Sequence, residues 1–102
     1  MTQPNYTERL EIIIKQYEIE RNLENYIEVN RKAVTTGING DPIKIIKAPL
    51  NPHLSFQMGR VYLPFYIEEQ GLMARGNHYG DFGSVVFIIP HDNYVVLEKI
   101  LN

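Results

Sequence analysis

Cysteine and tryptophan are both absent from the 102-residue chain. Without cysteine there is no disulfide framework, thiolate metal site or cysteine nucleophile, and the redox environment leaves no mark on the sequence. Long apolar runs are lacking too. None approaches the roughly 18 residues of a membrane span, and the amino terminus has neither the basic start nor the apolar stretch of a secretory signal. The expectation is a soluble, cytoplasmic protein that makes no membrane contact. A strong excess of one charge is also missing, the formal total being −2. The distribution is uneven: residues 1–30 carry three basic and six acidic groups, residues 31–60 five and one, and residues 61–102 two and five. Only the middle is basic, through Arg31, Lys32, Lys44, Lys47 and Arg60. Nucleic-acid binders usually show a much larger basic excess, so nucleic acid is not the expected partner.

Chemistry-bearing constellations are equally sparse. His53, His78 and His91 show no metal-ligand spacing, so no metal is expected. Ser55 and Ser84 lack a nucleophile elbow, and no glycine-rich phosphate loop opens a helix, so neither a catalytic residue nor a cofactor is assigned.

What is present is a repeat. Tyr26-Ile27-Glu28 returns as Tyr66-Ile67-Glu68, and Gly40-Asp41 returns as Gly80-Asp81, each forty positions on. With one residue inserted, Ile45-Ile46 falls on Val86-Phe87 and Pro49 on Pro90. Each copy reads as strand, Gly-Asp turn, strand and proline stop, which predicts an internal duplication. The other reading is two unrelated hairpins, since glycine tolerates positive φ and aspartate bonds back to its own backbone.

Around the repeat the expected elements follow from periodicity. Asn5 and Glu8 fit a capping box, and Tyr6, Leu10, Ile13, Ile14 and Tyr17 follow at helical spacing, while Ile12 and Ile19 off that stripe imply a second helix surface that meets the sheet or another subunit. From Tyr26 to Val34 the period is two, and Asn39-Gly40 suits a hairpin turn leading to Ile43, Ile45 and Ile46. Leu54, Phe56, Met58 and Tyr62 alternate with smaller or polar residues as a strand with one bulky face, and Val85 to Ile89 reads as a strand apolar on both faces. After Pro90, Asp92 or Asn93 caps a short carboxy-terminal helix holding Val96, Leu97, Ile100 and Leu101, although Tyr94, Val95 and Val96 favour a strand by propensity. The fold expected is α+β: a single domain over 1–102, with two pseudo-symmetric β-hairpin units at about 1–49 and 50–102, an N-terminal helix and a short C-terminal helix.

The leading functional expectation is a non-enzymatic protein-protein interaction module. It binds an extended protein or peptide segment, or self-associates as a homodimer, in a groove between the two halves. The partner-binding residues expected are Phe56, Met58, Tyr62 and Phe65, bulky side chains on a strand at the junction whose free edge accepts a further strand. The alternative is a weak nucleic-acid binder through Arg31, Lys32, Lys44 and Lys47, or a small ribonuclease using Arg75, His78 and Glu68. The loop from Arg75 to Asp81 crowds Arg, Asn, His, Tyr and Asp together, and its bland reading is a hairpin loop satisfying its own backbone.

Chain length, the lack of cysteine and the pairing of Tyr26 to Pro49 with Tyr66 to Pro90 together resemble the small uncharacterised proteins of the Acidianus filamentous viruses. That resemblance implies a virus-encoded protein in the host cytoplasm with an interaction role, and it carries over no functional residue. The chain departs from thermophile usage in its nine asparagines, Asn39-Gly40 among them.

Overall fold

The helix that opens the fold, α1, runs from Tyr6 to Arg21. In the computed structural model, which describes residues 6–35, 40–47, 56–68, 71–75 and 86–100, this helix ends on an asparagine. Asn22 donates its backbone N–H to Ile19 C=O and its side-chain amide to Glu18 C=O, satisfying two of the carbonyls a helix end leaves unpaired. A 3₁₀ turn over Leu23–Asn25 then redirects the chain. The buried face of α1 is Ile12, Gln16 and Ile19, whereas Leu10 and Ile14 are 40% and 54% exposed. The main stripe is thus corrected at Leu10 and Ile14, and the second surface expected at Ile12 and Ile19 is the one turned inward, with a glutamine at its centre. Asn5 lies outside the described residues.

Seven strands follow among the described residues: β1 (Tyr26–Val29), β2 (Ile43–Ile45), β3 (Val61–Tyr62), β4 (Tyr66–Glu68), β5 (Gly71–Arg75), β6 (Val86–Ile89) and β7 (Tyr94–Lys99). They form two antiparallel sheets, ordered β1-β7-β2-β3 and β4-β5-β6. One main helix over antiparallel sheets makes the chain α+β, as its periodicities implied.

Two expectations are overturned. The short C-terminal helix is a strand, β7, entered through a 3₁₀ turn at His91–Asn93. The cap signal at Asp92 and Asn93 belongs to that turn, where Asn93 N–H donates to Pro90 C=O and its side chain to Lys47 C=O. Aromatic and β-branched residues at Tyr94, Val95 and Val96 suit a strand buried on both faces. The first expected hairpin is not one either, whereas in the second half β5 and β6 pair antiparallel across the expected loop, Arg75 opposite Val86. Tyr26 and Tyr66 each begin a strand, but β7 lies between β1 and β2, and β5 lies between β4 and β6. Asp41 N–H donates to Val34 C=O, and the expected turn at 37–39 lies outside the described residues. Gly80-Asp81 falls outside the described residues, as does the proline link at 48–53.

The long strand expected over Leu54 to Leu63 shrinks to Val61–Tyr62. Gly59 breaks it at a φ of +85°, a conformation that costs glycine nothing. Its N–H donates to Ile45 C=O, which fixes β3 against β2.

The four-stranded sheet is the middle of three layers. Its inner face joins Ile43, Ile45, Tyr62, Tyr94 and Val96 to Leu72, Ala74 and Ile89 of the other sheet, with Phe56 and Ala33 completing this core. Its outer face sets Val61, Leu63 and Leu97 against Ile12 and Ile19 of α1, with Leu23 and Tyr26 at the margin. Alternate side chains of β7 enter both cores, so this strand is covered above and below.

Candidate functional site

The edges of the four-stranded sheet are where its backbone meets either protein or solvent. In β3, Tyr62 pairs with Ile43 in β2, so the N–H groups of Val61 and Leu63 point outward. Helix α1 takes both of them. Glu20 Oε1 accepts the Val61 N–H at 2.9 Å and Gln16 Oε1 accepts the Leu63 N–H at 2.9 Å. Residues four apart lie one above the other on a helix, so one face of α1 carries two acceptors spaced along the strand. Glu20 also approaches Arg60 Nη1 at 3.7 Å, and that guanidinium lies 5.7 Å from the centre of the Tyr17 ring. This edge is sealed.

The expected partner-binding residues flank it, and two of the four are core. Tyr62 is fully buried, its hydroxyl accepting the Gln57 N–H at 3.2 Å, and Phe56 is buried beside it. Phe65 is half-buried, donating its backbone N–H to Met73 C=O. Met58 is 66% exposed on the turn before Gly59. Phe56 and Tyr62 therefore pack between the two sheets.

At the opposite edge, β1 pairs with β7 and, among the described residues, with no second strand. Ile27 pairs with Glu98, Glu28 with Leu97 and Val29 with Val96, and Ile100 N–H donates to Asn25 C=O. That alternation sends the N–H and C=O of Glu28 away from the sheet, together with the C=O of Tyr26 and the N–H of Asn30. The outward N–H of Tyr26 is already given to Leu23 C=O. Among the described residues nothing pairs with the rest. Ile27 is 51% exposed on the face shared with the inner core. On the other face Lys44, paired with Val95 of β7, reaches across that strand with its Nζ to Glu28 Oε2 at 2.9 Å.

A polar cluster ties the chain after β1 back to the sheet. Arg31 bonds Asp41 at 2.8 Å and Glu98 at 2.9 Å, and the same Asp41 oxygen accepts the Val34 N–H. The bond from Arg31, helped by the Val34 N–H, holds the Asp41 carboxyl below the usual carboxylate range against a smaller opposing effect of burial. Arg31 is correspondingly held more firmly protonated, by Asp41 first and Glu98 second. Beneath them the Tyr94 hydroxyl accepts the Ala33 N–H at 3.3 Å and stands 3.0 Å from His91 Nδ1. Burial pushes the Tyr94 phenol up, so the hydroxyl stays neutral and bridges two segments. This cluster anchors a loop; it contains no paired acid and base open to a substrate.

The basic residues proposed for nucleic acid are thereby divided. Arg31 and Lys44 are held by carboxylates, while Lys32 and Lys47 remain exposed. Of the ribonuclease set, His78 lies outside the described residues, and Arg75 and Glu68 are placed by their backbone alone, on β5 and β4. A shallow polar cleft of about 220 Å³ at the end of α1 is lined by Lys15, Glu18, Asn22, Asn25, Tyr26 and Lys99. No group of three metal-ligating side chains occurs among the described residues, and none of their helices is long and apolar enough to cross a membrane.

Gln16 and Glu20 are the residues sequence reasoning passed over. Their signal was present: Ile12, Gln16, Ile19 and Leu23 recur at helical spacing, a stripe legible only if its polar member has a buried partner. No family model matches the chain, and neither the curated proteins nor the solved structures contain a match to it.

Proposed function

We propose that this chain is a non-enzymatic interaction module that takes an extended protein segment onto the outer edge of β1. The supporting observation is the contrast between two edges of one sheet: the outward N–H groups of β3 are taken by Gln16 and Glu20, while those of Glu28 and Asn30 have no partner among the described residues. An added strand gains affinity from main-chain hydrogen bonds and selectivity from alternate side chains. Here the alternate side chain offered to a partner is Ile27, more than half exposed between the layers. The seat expected from sequence, at Phe56, Met58, Tyr62 and Phe65, thus moves to the other side of the sheet.

The test exploits the direction of one N–H. Proline at position 28 removes a donor that points away from the sheet and breaks no ladder bond within it, which edge strands tolerate. A surface-displayed library of random peptides is presented to the wild type, to Glu28→Pro and to Glu28→Ala. Capture by the wild type and Glu28→Ala, lost in a folded Glu28→Pro, supports strand addition. Capture that survives in Glu28→Pro, or its absence from all three, overturns it.

A further inference from the structure

We infer that the strand accepted by β1 is β1 of a second copy of this chain, laid antiparallel about a two-fold axis through Glu28. The inference rests on the edge reading above and names its occupant. The pattern of donors and acceptors is what singles out a copy. With Glu28 opposite Glu28 of the second copy, each donates its outward N–H to the other's C=O. Tyr26 then stands opposite Asn30 of the second copy. Tyr26 has only its C=O to offer, because its N–H is bound to Leu23 C=O, and Asn30 supplies the N–H that this C=O accepts. The donor already spent on the 3₁₀ turn is thus matched by a free donor at the symmetric position, on both sides of the axis.

The side chains follow the same symmetry. On the inner face Ile27 comes opposite Val29 of the second copy, and the reverse; these positions form the closer, non-hydrogen-bonded pair of an antiparallel ladder. An isoleucine now 51% exposed and a half-buried valine are thereby covered. On the outer face two Glu28 carboxylates approach, a juxtaposition that ordinarily disfavours pairing. Each arrives already bound to its own Lys44 at 2.9 Å, so the row reads lysine, glutamate, glutamate, lysine and is neutral. A two-fold axis normal to the sheet also keeps both α1 helices on one side and closes the assembly at two chains, in contrast to a head-to-tail edge that would grow without limit. The contact is one short strand, far from the extent of a permanent dimer, so the association is concentration-dependent.

Sedimentation of the full chain, from micromolar to millimolar, is expected to move from 11.9 kDa toward twice that mass. In a mixture of isotope-labelled and unlabelled protein, an intermolecular contact between the α-protons of Ile27 and Val29 marks the register. Glu28→Pro is expected to abolish the mass change, and Lys44→Ala to weaken it by leaving the carboxylates uncompensated. Glu28→Gln is expected to strengthen it, whereas a basic peptide partner would be bound less well by the same variant. A chain that stays monomeric throughout overturns the second copy as occupant; if peptide capture is still lost in Glu28→Pro, the open-edge reading survives alone. Doubling that persists in Glu28→Pro, or that lacks the Ile27–Val29 contact, places association elsewhere and overturns the inference.

Discussion

The two edges of the four-stranded sheet face different solvents, and each is treated accordingly. At β3 the outward N–H groups lie beneath α1, where water does not reach Gln16, which is 1% exposed. A donor left unpaired there costs about 1–3 kcal/mol, so the helix must carry acceptors on the face it turns inward. At β1 the outward backbone groups of Glu28 have no partner among the described residues, and a donor left to solvent costs little. The difference teaches that a sealed edge is a by-product of covering it: the element that excludes water has to replace it. The open edge stays available because no strand of the described residues lies beyond β1.

The largest effect that bears on this contrast should come from Tyr62→Ala, which empties the inner core beside the sealed edge. About 3–5 kcal/mol of stability should be lost, read by urea unfolding. A loss below about 1 kcal/mol would mean that the bulky face of β3 is not core, and would return it to the candidates for docking.

Next is the seal. Gln16→Leu keeps the side chain's bulk and removes the acceptor for Leu63, so a loss of about 1–3 kcal/mol is expected. Combining it with Glu20→Leu frees the Val61 N–H as well. That double variant should acquire a second sticky edge and aggregate, seen by light scattering, while Glu20→Gln, which retains an oxygen, should not.

Acid probes the loop that follows the open edge. Asp41 has its folded pKa depressed below 3.8 by Arg31, so its contribution is fully present above that value and disappears as pH falls through the lower, folded one. Stability of the wild type should therefore drop more steeply below about pH 4 than that of Asp41→Asn. Parallel acid limbs in the two proteins would show that the Arg31 bond carries no such linkage.

The smallest change in stability is expected at the open edge itself. Ile27→Ala, at a half-exposed position, should alter unfolding by no more than about 0.5 kcal/mol while reducing any association through β1. A large loss of stability would instead place Ile27 in the core.

Much of the fold could be read from periodicity, and the failures share a cause. Strands beginning at Tyr26 and Tyr66 and the apolar strand ending at Ile89 are local patterns, and they stand where they were expected. Pairing is not local. No feature within Tyr26–Ile45 says that its two strands are separated by residues from 94–99, so two strands flanking a third were read as a hairpin. β7 itself was misassigned because Asp92 and Asn93 sit within a 3₁₀ turn as readily as at the start of a helix. On α1 the wrong stripe won since Leu10, Ile13 and Ile14 outnumber the apolar members of the true one. Which glutamine has a buried backbone to serve is a fact about β3 and is invisible in the helix. For the site, the bulk of Phe56 and Tyr62 was legible and its destination was not, because core and docking surface demand the same residues.

The position of β7 in the chain has a kinetic consequence. Its partners are β1 and β2, with Tyr26 set against Lys99 and Ile43 against Val96, so strands made early in synthesis wait for one made late. Until Tyr94–Lys99 leaves the ribosome, β1 has no ladder and the helix packs on half a sheet. Such long closures slow folding, and in that interval the backbone of β1 is bare along both sides.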